Sequence, residues 1–166
     1  MKTLYLVRHA KSSWDNPELA DFDRPLNDRG KRDAPRMGKK LREREIHPNL
    51  IISSPAKRAM STGKRIAEAL GFPQKNIKTD QGLYHANAEE LLSIVQKLPD
   101  TCERIVLIGH NPGLTDFAND LTRDQAVITN VPTCGVVAYE FDVNSWQQVD
   151  FGKGRFLFFD YPKKPD

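Results

Sequence analysis

Two arginines and two histidines stand where a chain can do chemistry. Arg8-His9 follows the apolar run Thr3-Leu4-Tyr5-Leu6-Val7. Arg58 follows Leu50-Ile51-Ile52-Ser53, within Ser54-Pro55-Ala56-Lys57-Arg58-Ala59. His110 follows Arg104-Ile105-Val106-Leu107-Ile108, within Gly109-His110-Asn111-Pro112-Gly113. Each run has the length and composition of a short buried strand. In open α/β sheets, ligands sit in the crevice beyond the carboxyl ends of the strands. Three strand exits thus offer four polar side chains to one pocket. A guanidinium fork grips pairs of phosphoryl oxygens, and a neutral imidazole attacks phosphorus and holds the group covalently. His9, anchored by the strand before it, suits the attack; His110 suits a hydrogen bond to a transferring oxygen. The helix after Asn111-Pro112 would point its positive end at the same anion. Taken singly, Arg8-His9 reads as a surface pair, Arg58 as a solvated helix residue and His110 as a core histidine. Their placement at three separate strand exits is what singles them out. A zinc site of His9, His85 and His110 is the competing chemistry, but Arg8 and Arg58 would repel a metal ion. Neither a metal nor an organic cofactor is expected.

The elements that must position these residues follow from periodicity. Strands are expected at Lys2 to Val7, Leu50 to Ser53, Ile77 to Thr79 and Arg104 to Ile108. The pattern then predicts strands at Gly135 to Phe141 and Gln147 to Phe151 as a hairpin over Asp142-Val143-Asn144-Ser145, and a further one at Arg155 to Phe159. Helices are expected at Asp28 to Glu45, with Pro35 kinking it or delaying its start, and at Pro55 to Leu70, stopped by Gly71. Two more span Ala88 to Leu98, capped by Asn87 and Glu90, and Leu114 to Leu121. Strands alternate with helices, so the fold class is α/β: a three-layer sandwich with a mainly parallel central sheet, helices on both faces and an antiparallel edge. The Ala10 to Asn27 loop is long for a compact domain, and such loops are usually functional.

A chain of 166 residues reads as one domain, here residues 1–161, with a frayed tail at 162–166. The net charge of +3 is too small to argue for nucleic acid. No apolar stretch approaches the ~20 residues needed to span a bilayer, and no signal-peptide core begins the chain. Cys102 and Cys134 match no metal or CxxC spacing and read as buried free thiols of a reducing compartment. The expectation is a cytoplasmic monomer or small homo-oligomer.

The order Leu-Val-Arg-His, Ser-Ser-Pro-x-x-Arg-Ala and Gly-His-Asn-Pro-Gly resembles the histidine phosphatase (phosphoglycerate mutase-like) superfamily. The compact length and Phe22-Asp23-Arg24-Pro25-Leu26-Asn27-Asp28-Arg29-Gly30 look like its SixA-type phosphohistidine phosphatase branch. The resemblance runs from Leu4 to about Glu140. It implies His9 as a nucleophile that becomes phosphorylated, with Arg8, Arg58 and His110 completing the phosphate pocket. Lys11, Arg24 and Asn111 are the candidates to bind substrate at its rim. Ala10 stands where the family usually has Gly, which predicts slight crowding.

The resemblance also implies a general acid in some members, a few residues before an aromatic. The register here puts Gln81 or Gly82 at that position, with Asp80 a near miss and Glu89 and His85 further candidates; Glu90 already has a capping role. Without an acid, an alkyl phosphate suffers because its alkoxide needs a proton, whereas imidazole leaves readily. Little chain remains for a lid, and small metabolites usually need enclosure. The expected substrate is therefore phosphohistidine in a protein, of which a histidine phosphotransfer protein is one candidate. The alternatives are a phosphomonoesterase or mutase on a small metabolite, and a non-catalytic phospho-binding module. The basic segment Arg29 to Arg44 reads as a solvated helix face, the other reading being a dock for an acidic protein. It lacks the interleaved aromatics of a nucleic-acid surface.

Overall fold

The computed structural model describes residues 1–123 and 127–164. Six strands, β1 (Lys2–Arg8), β2 (Leu50–Ser53), β3 (Lys78–Thr79), β4 (Arg104–Gly109), β5 (Val136–Phe141) and β6 (Arg155–Asp160), form one sheet in the order β3-β2-β4-β1-β5-β6. The first four are mutually parallel; β5 runs against both β1 and β6. Among the described residues four helices cover the sheet: α1 (Asp28–Glu43), α2 (Lys57–Leu70), α3 (Ala88–Gln96) and α4 (Gly113–Asp120).

The alternation of strand side chains decides which helices go where. Tyr5 and Val7 of β1, with Val106 and Ile108 of β4, pack against Ala34, Met37 and Leu41 of α1 and Ala59 and Ile66 of α2. Leu4, Leu6, Ile105 and Leu107 point to the other face, against Leu91 and Val95 of α3 and Leu114 and Phe117 of α4. The chain leaves β1 towards β2 over the first face and leaves β4 towards β5 over the second. Adjacent strands whose connections depart in opposite directions open a crevice between them at their carboxyl ends. In this sheet that crevice lies between β1 and β4.

Three expectations change. Gln147 to Phe151 is not a strand. Ser145 and Gln148 cap a 3₁₀ turn over Trp146–Gln148 reciprocally, and Trp146 is fully buried, donating its ring N–H to the Cys102 carbonyl at 2.7 Å. That local capping outweighs the alternating pattern, and Arg155–Asp160 pairs with β5 instead. Pro35 does not delay α1, which starts at Asp28 under an Asn27 cap whose Oδ1 accepts from Gly30 N at 2.9 Å. Pro55 lies outside α2, whose N-cap is Ala56. In the C-terminal segment Lys164 Nζ donates to the Phe159 carbonyl at 2.6 Å. Residues 165–166 lie outside the described residues.

Candidate active site

Sheet register brings the two histidines together. Arg8 of β1 pairs with Gly109 of β4, so the next residues, His9 and His110, leave the sheet side by side with ring centroids 5.1 Å apart. The backbone at His9 is held from every direction. Its N–H donates to the Gly109 carbonyl at 3.2 Å, and Cys134 N–H donates to the Arg8 and His9 carbonyls at 3.0 and 3.1 Å. Ala10 N–H reaches Thr62 Oγ1 at 2.9 Å, and that hydroxyl donates to the Arg58 carbonyl at 2.8 Å. Ala10 is fully buried without disturbing this arrangement. The contact ties the exit of β1 to the first turn of α2, where Arg58 stands.

The tautomer of His9 follows from one contact. Nδ1 lies 2.8 Å from the Ala10 carbonyl, which only accepts, so Nδ1 carries the proton and Nε2 keeps its lone pair. Burial pushes the imidazole down to about 4, and the nearby Arg58, Arg8 and Arg24 act in the same direction against the Ala10 hydrogen bond. His110 is pushed down to about 3, by burial first and then by His9 and Arg58. Its Nε2 lies 2.8 Å from Ser54 Oγ. His110 Nδ1 and Arg8 Nε are the buried side-chain nitrogens without a partner among the described residues. Arg8 is otherwise fixed by Nη1 donating to the Val131 carbonyl at 3.1 Å.

These depressed values make stability depend on pH. Between pH 6.5 and about 4 the unfolded chain takes up protons that folded His9 and His110 refuse, so stability is full above 6.5 and declines as pH falls through this window. The expected result is a melting temperature that drops from pH 7 towards pH 4.5, with a shallower drop for His9→Gln. Parallel pH profiles for the two proteins would contradict the buried neutral imidazole.

Asp21, which the sequence reading missed, is the hub of the remaining contacts. Arg58 Nη1 donates to its carbonyl at 2.7 Å and Nη2 to its carboxylate at 3.0 Å. Arg24 Nη1 donates to the other carboxylate oxygen, Oδ1, at 2.9 Å, and Tyr84 Oη donates to Oδ2, which Arg58 also holds, at 2.6 Å. The Tyr84 hydroxyl first, then Arg24 and Arg58, hold the carboxyl well below the usual carboxylate range. Tyr84 also packs edge-on against His110, centroids 5.5 Å apart. A lone Asp three residues before Arg24 in a loop carries no signal by itself; only the fold shows that the loop returns to α2. Asp21→Ala removes the shared anchor of two arginines. Misplacing substrate-gripping groups by about 1 Å costs on the order of 100-fold, so kcat/KM for an aryl phosphate should fall by about 10- to 100-fold with little change in melting temperature. An unchanged kcat/KM would show that the arginines hold themselves.

The structure brings Arg8, His9, Arg58, His110 and, through Asp21, Arg24 into one site. Lys11 is exposed, with no side-chain contact to these residues among those described. Asn111 spends its amide inside the protein: Oδ1 accepts from Thr115 N–H and Oγ1, and Nδ2 donates to the Val131 carbonyl that also holds Arg8. Of the acid candidates, Asp80 caps a 3₁₀ turn by accepting from Gly82 N–H at 2.8 Å and lines a different cleft, with Leu50, Ile52 and Ile94. Gln81 and Gly82 are exposed in that turn. Glu89 faces Asp116 and Asn119 in another cleft. His85 alone shares a cleft with His110, of about 180 Å³, its ring stacked on Tyr84 with centroids 3.9 Å apart. Among the described residues no group of three His, Cys, Asp or Glu side chains is placed to hold a metal ion, and no helix is long and apolar enough to cross a membrane.

Comparison with known proteins bears on family and fold. The model of the histidine phosphatase superfamily (branch 1) matches residues 4–111. A chloroplastic protein of Arabidopsis thaliana is 33% identical over 156 residues, covering 89% of this chain and 70% of its own. Phosphoserine phosphatase 1 of Hydrogenobacter thermophilus is 36% identical over 119 residues, covering 66% of this chain and 53% of its own. Among solved structures, a SixA protein of Agrobacterium tumefaciens, assigned as a phosphohistidine phosphatase, superposes with a TM-score of 0.82 at 28% identity, over 97% of this chain and 98% of that one. The protein histidine phosphatase SixA complexed with tungstate shares the fold, with a TM-score of 0.81 at 18% identity, over 96% and 97%.

Proposed function

The chain belongs to the histidine phosphatase superfamily (branch 1), and from that premise we propose that it is a phosphatase that forms a covalent phosphohistidine at His9, with phosphohistidine in a protein as its substrate. The observation that carries this reading is the protonation state of His9. Its Nδ1 proton is committed to the Ala10 carbonyl, its Nε2 lone pair is free, and burial among arginines keeps it uncharged. Such an imidazole is a ready nucleophile at neutral pH.

In the first step His9 Nε2 forms a bond to phosphorus as the bond to the leaving group breaks. Arg8 and Arg58 neutralise the phosphoryl oxygens, whose charge spreads in the transition state. In the tautomer with its proton on Nδ1, His110 accepts from Ser54 Oγ at Nε2, 2.8 Å away, and has Nδ1–H left to bond a phosphoryl oxygen. In the second step water attacks phosphorus, the P–N bond breaks, and the electron pair returns to His9 Nε2. The pocket's charge matches this traffic: three guanidinium groups and the Asp21 carboxylate leave a net charge suited to a phosphoryl dianion.

A second reading, a phosphomonoesterase on a small metabolite, is favoured by the phosphoserine phosphatase relative and by His85, which lines the cleft beside His110 together with Tyr84 and Asp116. Trapping a ³²P-labelled enzyme that is stable to base and labile to acid, lost in His9→Ala, is the result expected of the covalent mechanism. A chain that binds phosphate analogues but never becomes labelled would instead be a binding module.

A further inference from the structure

Four large apolar side chains are exposed among the described residues: Met1, Trp14, Leu19 and Val127. Two of them, Trp14 and Leu19, lie on the loop between His9 and α1. Trp14 is 72% exposed, yet it is held in place. Its ring lies over the Arg24 guanidinium, 3.3 Å from ring centre to Cζ. That guanidinium is itself buried, donating through Nε to the Ser13 carbonyl at 3.1 Å, through Nη2 to Ser12 Oγ and through Nη1 to Asp21. The base of the loop is closed by the Ser12–Leu26 bridge and by Ser13 N–H to the Pro25 carbonyl at 2.8 Å. The indole is thus a rigid plate stacked on a cation, exposed to water and built on the frame of the site itself. It stands three contacts out from Arg58, through Arg24 and Asp21.

An indole left 72% exposed adds little burial of its own to the fold. Rigid aromatics beside a polar rim are what protein interfaces use as anchors, because they bury a large area at little entropic cost. Asp15 and Glu18, both exposed, flank the plate. A protein that carries a phosphoryl group into the Arg8–Arg58 pocket has a body to lay on the loop that Arg24 anchors, and a small phosphate compound has none. We propose that Trp14 is a docking plate for the phosphoprotein substrate, stacking on an apolar side chain next to the phosphorylated histidine. The proposal rests on the protein-phosphohistidine reading above and adds which residue of this chain selects a protein over a small molecule.

The test uses the two tryptophans of the chain. Trp146 is fully buried, so quenching of the emission by acrylamide reports on Trp14. The probe is a histidine phosphotransfer domain phosphorylated with phosphoramidate, bound to the His9→Ala protein so that no turnover interferes. Binding should shield Trp14 from acrylamide. In the otherwise wild-type enzyme, Trp14→Ala should raise KM for the phosphorylated domain by about tenfold or more, as loss of an interface anchor does. Its kcat/KM for phosphoramidate itself should stay within about twofold. An equal loss on both substrates would make Trp14 a part of the pocket wall and overturn the proposal. Unchanged KM together with unshielded quenching would overturn it while leaving the phosphohistidine reading intact. A wild-type enzyme that cleaves free phosphohistidine but not the phosphorylated domain would end the protein-substrate reading, and the plate with it.

Discussion

His9→Ala should fold and lose turnover by on the order of 10⁴-fold or more. The side chain touches the pocket on one side and the Ala10 carbonyl on the other, and the hydrogen bonds that fix the strand exit run through backbone atoms that alanine keeps. Removing a covalent nucleophile eliminates the reaction path, and the residual rate comes only from binding and charge stabilisation. The comparison is kcat on an aryl phosphate for the two proteins, alongside their melting curves. Residual activity above about a tenth of wild type would remove His9 from the nucleophile role. The variant should still bind phosphate or tungstate, since the arginines that grip an anion are untouched.

Cleavage should also depend steeply on the leaving group. Asp80 and Glu89 lie outside the site, so no carboxylic acid from the expected segment stands ready to protonate a departing alkoxide. General acid catalysis contributes about 10²–10⁴-fold, and phosphohistidine and aryl phosphates should outpace alkyl phosphates by a factor of that order. Asp80→Asn should leave phosphohistidine hydrolysis unchanged, because its carboxylate serves only the turn it caps. Comparable rates on phosphoserine and phosphohistidine would point to a proton donor in the His110 cleft. His85→Gln would then slow the alkyl phosphate selectively and spare the aryl one.

Much of this site was legible before the fold was known, for a local reason. Strand exits are written in short apolar runs: Arg8-His9 and His110 follow two of them, and Arg58 stands in the first turn of the helix that follows a third. The capping box at Asn87 and Glu90 and the Gly71 stop, with φ 72°, are likewise decided by neighbours in sequence. The failed strand at Gln147 to Phe151 shows the limit of that logic. An alternating pattern says nothing about whether Trp146 can be buried better by a turn.

The sequence by itself determined the alternation of strands and helices, the α/β class and the four residues at three strand exits, because period and punctuation act over a few residues. The tertiary structure alone decided that β1 pairs with β4 in the register that sets His9 beside His110. It alone decided that Asp21 crosses from the loop to clamp Arg58, and that Asp80 faces away from the site while His85 faces it. The first two of those outcomes depend on pairs of residues 101 and 37 positions apart. The contacts they make form only when the packed sheet and helices bring both ends to one place, and neither end carries a local mark of its partner.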